Sequence, residues 1–236
     1  MKNPFKAKLG LHENVEYVLR DDKGKPKKLF QPNRLYLWLL KRGLASPNLT
    51  SRAFGRFTDK MVISNLITTV GVSGIAARIN GSGSPAAYTY IALGTGTTAA
   101  ADADTKLEAE ITTSGGARAS ASVSLQTTDT AGDTAQLQNT FNFTTGASFA
   151  ITESGVLNAA DTGTLLARQV FSAINVASGD SLQVTLIFRA IIKKFMMYAI
   201  SKLQEHLNKI VKTICSETQQ WGRSTTIMGL SFGIME

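Results

Sequence analysis

The sequence predicts a mainly β protein: an antiparallel sandwich or jelly-roll-like domain, preceded by a basic N-terminal arm and followed by a C-terminal amphipathic helix. Three observations predict it. Several segments between residues 61 and 188 alternate apolar and polar side chains with period two, as half-buried strands do. Turn-forming clusters separate them at short intervals: Gly81 to Pro85, Gly94 to Thr98, Thr127 to Asp133, Thr144 to Ala147, Ala160 to Gly163 and Ser178 to Asp180. After Phe188 the period changes to three or four, the spacing of one helical face.

Taken in order, residues 1–60 read as a basic arm or subdomain. Asn14 to Arg20 suits a short strand, with Val15, Tyr17 and Leu19 on one side. Asp21 to Pro26 is a turn, and Lys28 to Phe30 returns as the second strand of a hairpin. Leu35 to Leu40 is ambiguous. Pro32 before it and Gly43 after it suit a short helix, whereas Leu35, Leu37 and Leu39 suit a strand face.

Residues 61–188 read as the sandwich, with six or seven strands. Ala119, Ala121, Val123 and Leu125 form one alternating set. Leu137, Phe141 and Phe143 form a second, and Leu182, Val184, Leu186 and Phe188 a third. Ala87 to Leu93, Phe149 to Leu157 and Thr164 to Phe171 are further strands, and Ala101 to Ile111 is expected to add one helical turn. Residues 189–236 read as the C-terminal helix and tail. Ile192, Met196, Ile200, Leu203, Leu207, Ile210 and Ile214 form its apolar stripe, about six turns long at 3.6 residues per turn. Such a stripe must be covered by the sandwich or by copies of the same chain. Thr225 to Met235 is strand-like in composition and receives no firm assignment.

Composition narrows the function. The 236 residues are 43% hydrophobic and 18% charged, a globular balance able to bury a sizeable core. The net charge of +8 is uneven: +9 over residues 1–60, −5 over 61–188 and +4 over 189–236. Attraction between the basic end of one copy and the acidic middle of another is therefore expected. Arg20, Lys23, Lys25, Lys27, Lys28, Arg34, Lys41 and Arg42 are the candidate docking cations. They carry no recognised nucleic-acid module, so specific nucleic-acid binding is not expected. Leu186 to Ile200 is the most apolar stretch, but Arg189, Lys193 and Lys194 interrupt it and it is short for a membrane span. Met1 to Gly10 lacks the apolar run of a secretion signal. A single cysteine, Cys215, excludes an internal disulfide.

Candidate chemistry is sparse. The two histidines, His12 and His206, lie in opposite end regions, and no nucleophile motif surrounds Cys215. Gly94-Thr95-Gly96 lacks the third glycine and following helix of a dinucleotide fingerprint and has no Walker lysine. Asp102, Asp104, Glu108 and Glu110 lack the spacing of an EF-hand and read as a solvated acidic loop rather than a calcium site. Nothing favours Asp129 and Glu153 as paired carboxylates, which would have to flank a cleft roughly 5–9.5 Å apart. Neither a catalytic residue, nor a metal ligand, nor a cofactor is assigned.

An ordered series of blocks remains: Tyr90 to Thr98, Asp104 to Glu110, Gly116-Ala117-Arg118, Thr140 to Phe143, Ile151 to Asn158, Gly163 to Arg168 and Gly179 to Thr185. Together they resemble a widespread type of bacteriophage virion protein. The resemblance covers roughly residues 88–186. It implies a β-sandwich-like component of a tailed phage particle, in the tail, neck or collar or as a capsid decoration. Its partners would be other virion proteins and copies of itself. It carries no catalytic residue across. The helix after Phe188 departs from the pattern. The alternative is a receptor- or glycan-binding module of a tail tip or fibre, since sandwiches often carry such sites on loops.

Overall fold

Two antiparallel sheets enclose one apolar core. The computed structural model describes residues 8–83, 86–193 and 204–212. The larger sheet is built from β1 (Lys8–Arg20), β2 (Pro26–Lys27), β5 (Met61–Ser64), β9 (Ser122–Gln126), β10 (Thr134–Asn142) and β13 (Ser181–Lys193). Its order is β2-β1-β13-β10-β9, with β5 also pairing on β1. The smaller sheet is built from β6 (Leu66–Ile67), β7 (Tyr90–Gly94), β8 (Ala119–Ser120), β11 (Ser148–Leu157) and β12 (Leu165–Ala177), in the order β6-β12-β11-β7-β8. A separate ribbon pairs β3 (Leu29–Pro32) with β4 (Gly55–Thr58). Strands β10 to β13 nest: β10 pairs with β13 in one sheet, while β11 pairs with β12 in the other.

Period-two alternation governs the larger sheet. Leu137 faces Leu186 and Phe141 faces Leu182 across the ladder, and all four are buried. Val15 and Tyr17 face Ile63 and Met61 in the same way. Opposite them, Ile91 and Leu93 of β7, Ile151 and Val156 of β11 and Phe171 and Ile174 of β12 complete the core. The rings of Tyr17 and Phe171 meet across the sheets at 4.6 Å. Tyr17 also donates or accepts at Ser154 Oγ, 2.8 Å away, and receives Gln169 Nε2; burial pushes its hydroxyl pKa up.

The smaller sheet loses the alternation. Residues 151–157 are buried without a break, because both faces of β11 are covered. One face meets the main core. On the other, Ala92, Leu157 and Leu165 pack with Leu107 of the 95–111 loop and Val70 of the helix α2 (Thr69–Asn80). Thr68 caps α2, accepting from Gly71 N and donating to Leu165 O. The residue pattern alone predicts no helix there. The two glycines, Thr69 and the valines of this segment lower its propensity, and docking on the sheet overrides that. Of the helical turn expected within residues 101–111, one hydrogen-bonded turn is present, Asp104 N to Ala101 O at 3.0 Å, without a helix; the end of the segment, where Ile111 N bonds Leu93 O, runs along the end of β7.

The ambiguous Leu35–Leu40 stretch is helical. α1 (Arg34–Lys41) is capped by Asn33, whose side chain accepts from Tyr36 N at 2.9 Å. Tyr36 and Leu40, four apart, are buried against Phe30, while Leu35 faces solvent.

Leu11–Ala190 form one compact unit. Val15, Tyr17 and Leu19 belong to the same core as Phe171 and Leu186, so residues 14–20 are a structural part of the sandwich and not a detached arm. Ile192 lies within strand β13, not on a helix. A helix does occupy residues 204–212.

Candidate functional site

The most elaborate polar cluster lies on the outer face of the smaller sheet, beneath the loop after β7. Glu153 of β11 stands opposite Gly94 across the ladder, and Arg168 of β12 stands opposite Gly155. Both are enclosed, Glu153 at 0% side-chain exposure and Arg168 at 3%. Arg168 Nε donates to Glu153 Oε2 at 2.8 Å. Glu153 Oε2 also accepts from Glu108 N at 3.1 Å, and Oε1 accepts from Gly96 N at 3.1 Å and Ala109 N at 2.7 Å. A carboxylate has about four lone-pair sites, and each here has a donor.

Arg168 is equally engaged. Nη1 donates to Asp104 Oδ2 at 2.7 Å and Nη2 to Thr98 O at 3.1 Å, with Glu108 Oε2 at 3.6 Å. Burial pulls its pKa down, but the bonds to Asp104 and Glu153 outweigh this and leave the guanidinium more firmly charged. Glu108 closes the loop on itself through Thr98 N at 2.8 Å and Thr98 Oγ1 at 2.7 Å. The Thr98 hydroxyl, then the Thr98 N–H, hold its carboxyl below the ordinary value. A Cβ at Gly94 or at Gly96 would collide with Glu153 Oε1, at 2.5 Å in the case of Gly96, so only glycine lets the loop approach the buried carboxylate.

A second clamp holds the next loops. Arg118 forks onto Glu110 at 2.8 and 2.7 Å and also bonds the carbonyls of Ala159 and Thr162. Four blocks of the phage-like series therefore meet at one ionic cluster, and the Gly116-Ala117-Arg118 block forms its neighbour. The sequence places each of these residues in its own block and does not pair them. The signal was a lone Glu in the apolar run Phe149–Leu157 and a lone Arg in Leu165–Phe171: two unlike charges on strands expected to be buried.

The acidic residues weighed for calcium are thus largely committed to arginines: Asp104 and Glu108 to Arg168, and Glu110 to Arg118. Among the described residues no group of three or more His, Cys, Asp or Glu could hold a metal ion. Glu153 and Asp129 are not brought to a common cleft: Asp129 is exposed and pairs with Arg189. His206 is exposed on the 204–212 helix, and Cys215 lies outside the described residues.

The candidate docking cations fall into two groups. Arg20, Lys23 and Lys25 are exposed around the turn after β1, where Asp21 Oδ1 ties down the backbone of Lys23 and Lys25. Lys27 reaches Asp180 and Lys28 reaches Asp59. Arg34, Lys41 and Arg42 are exposed on and just after α1; Lys41 bonds Ser64 at 3.4 Å and Arg42 lies over the Trp38 ring. Of the stripe residues, Leu207 and Ile210 are exposed on the 204–212 helix, whereas Met196, Ile200, Leu203 and Ile214 lie outside the described residues. No described helix is long and apolar enough to cross a membrane.

No family model, curated protein or solved structure matches this chain significantly.

Proposed function

We propose that this chain is a non-enzymatic structural component of a tailed bacteriophage particle, docking in many copies in the tail, the neck or collar, or on the capsid surface. The observation that carries the reading is the closed ionic cluster. Four of the blocks that resemble phage virion proteins converge on Glu153 and Arg168, whose polar atoms are directed at one another, at the Asp104 carboxylate and at the loop backbone. Such an arrangement fixes loops to a sheet and leaves no carboxylate oxygen of Glu153 for a substrate. The nesting of β10 to β13 supports a jelly-roll-like reading of the sandwich.

Docking would use weak contacts multiplied by symmetry. The exposed cations after β1 and on α1, and Leu207 and Ile210 on the helix, are its candidate surfaces. The test is to purify particles from a culture that produces the chain, quantify it by mass spectrometry, and locate it with gold-labelled antibody. Many copies per particle at one fixed position are expected. A chain found in the cells but missing from purified particles sinks the proposal.

A further inference from the structure

One margin of the sandwich is formed by a single segment, residues 119–126. Its first part, β8, is the last strand of the smaller sheet, and its second part, β9, is the last strand of the larger one. Between them Ala121 N bonds Thr89 O at 2.7 Å. Among the described residues no strand pairs with the outer side of β9.

This edge lacks the usual protections. Residues 119–126 contain no proline and no charged side chain, and the β9–β10 register runs without a bulge from Thr134↔Gln126 to Gln138↔Ser122. Val123 faces Leu137 and Leu125 faces Ala135 across that ladder. Leu137 is buried in the core, so Val123 and Leu125 project from the core-side face of the sheet. They are nevertheless 58% and 74% exposed, because the covering layer stops short of β9. An apolar groove of about 510 Å³, lined by Tyr88, Val123, Leu125, Ala135 and Leu137 among others, runs beside them.

The opposite margin is closed. On β5 the side chain of Gln31 takes the place of a partner strand: its Oε1 accepts from Val62 N at 2.7 Å and its Nε2 donates to Val62 O at 3.0 Å. The β2 part of that margin carries Pro26 and the Lys27–Asp180 ion pair. A head-to-tail chain of copies, β9 onto the β5 margin, is thus obstructed. An antiparallel β9–β9 pair meets no such obstacle, and its neutral sequence sets no like charges face to face.

We infer that β9 joins β9 of a second copy edge to edge, extending the larger sheet across a two-fold axis near Ser124. Val123 of each copy then lies opposite Leu125 of the other, and the four exposed apolar side chains cover one another. The contact is much smaller than the roughly 800 Å² per partner of a standard interface, so the pair is weak in solution and gains strength only where many copies are held together. The inference stands on the edge itself and not on the particle reading.

Sedimentation velocity on the full chain, from about 1 µM to 1 mM, tests it alongside Val123→Lys and Leu125→Lys. Both sites are exposed, so circular dichroism should show an unchanged fold. A reversible dimer is expected, weakened at least tenfold by either lysine and unaffected by Leu207→Lys with Ile210→Lys. In a Cys215→Ser background, Ser124→Cys should form a disulfide-linked dimer under mild oxidation, and Ser51→Cys should not. A monomer throughout the range, or a dimer indifferent to both lysines, overturns the inference. A chain present in particles yet monomeric in solution rejects the β9 pair while leaving the particle reading standing. A β9-dependent dimer absent from particles does the reverse.

Discussion

Replacing Glu153 by glutamine keeps the side chain's shape and removes its charge. Four donors converge on this carboxylate: three backbone N–H groups and Arg168 Nε. The substituted side-chain amide offers one oxygen and one NH2, so in either orientation its nitrogen faces donors. Two buried donors lose their acceptor, at about 1–3 kcal/mol each. Breaking one side of a buried ion pair costs about 3–5 kcal/mol, and these losses overlap. Arg168 keeps Asp104, which places the total for Glu153→Gln nearer ~3 kcal/mol. Buried ion pairs can often be exchanged for apolar residues without loss, but here that exchange should fail. With both Glu153 and Arg168 changed to methionine, the N–H groups of Gly96, Glu108 and Ala109 have no acceptor, at ~1 kcal/mol or more apiece. Urea unfolding followed by circular dichroism measures both variants. A loss below ~1 kcal/mol for Glu153→Gln, or a double variant as stable as the parent, refutes the role given to the cluster.

Three further predictions concern the same body. Gly96→Ala places a Cβ 2.5 Å from Glu153 Oε1 and 2.6 Å from Glu108 Cβ, and should lower stability by ~1–3 kcal/mol; urea unfolding with no loss would show that the loop can move away. Glu108 has a depressed folded-state pKa, so its contribution is present above the ordinary glutamate value of about 4.3 and disappears as pH falls through the folded value. Thermal stability should therefore drop in acid, and Thr98→Val, which removes the leading donor, should make that drop shallower; an identical pH profile would exclude Glu108 as its source. Gln31→Ala removes both bonds to the Val62 backbone. It should speed hydrogen exchange at the Val62 amide and cost ~0.5–1.5 kcal/mol, whereas unchanged exchange would mean that the glutamine does not cap the edge.

The sequence by itself determined the elements whose burial follows a simple period. Leu182, Val184, Leu186 and Phe188 alternate and are buried in that pattern, because one face of β13 meets the core and the other does not. The turns at Asp21–Pro26 and Ser178–Asp180 were legible because glycine and proline set backbone angles locally. Tertiary structure decided the rest. Val123 and Leu125 carry the same alternation and lie on the core-side face, yet they are exposed, since nothing in their own segment records where the opposing layer ends. The helix α2 forms against weak local propensity because the smaller sheet receives it. The first sixty residues read as an arm or subdomain because so short a stretch buries little by itself, but Val15 and Tyr17, paired with β5, and Leu19, paired with β2, lie in the common core. The ionic cluster shows the same division. Each residue was visible as a lone charge or a glycine in its own block, and the meeting of Glu153 with Arg168 and Gly96, and of Arg168 with Asp104, came only from strand register and loop closure. Such contacts link positions as far as 70 residues apart, which no local pattern encodes.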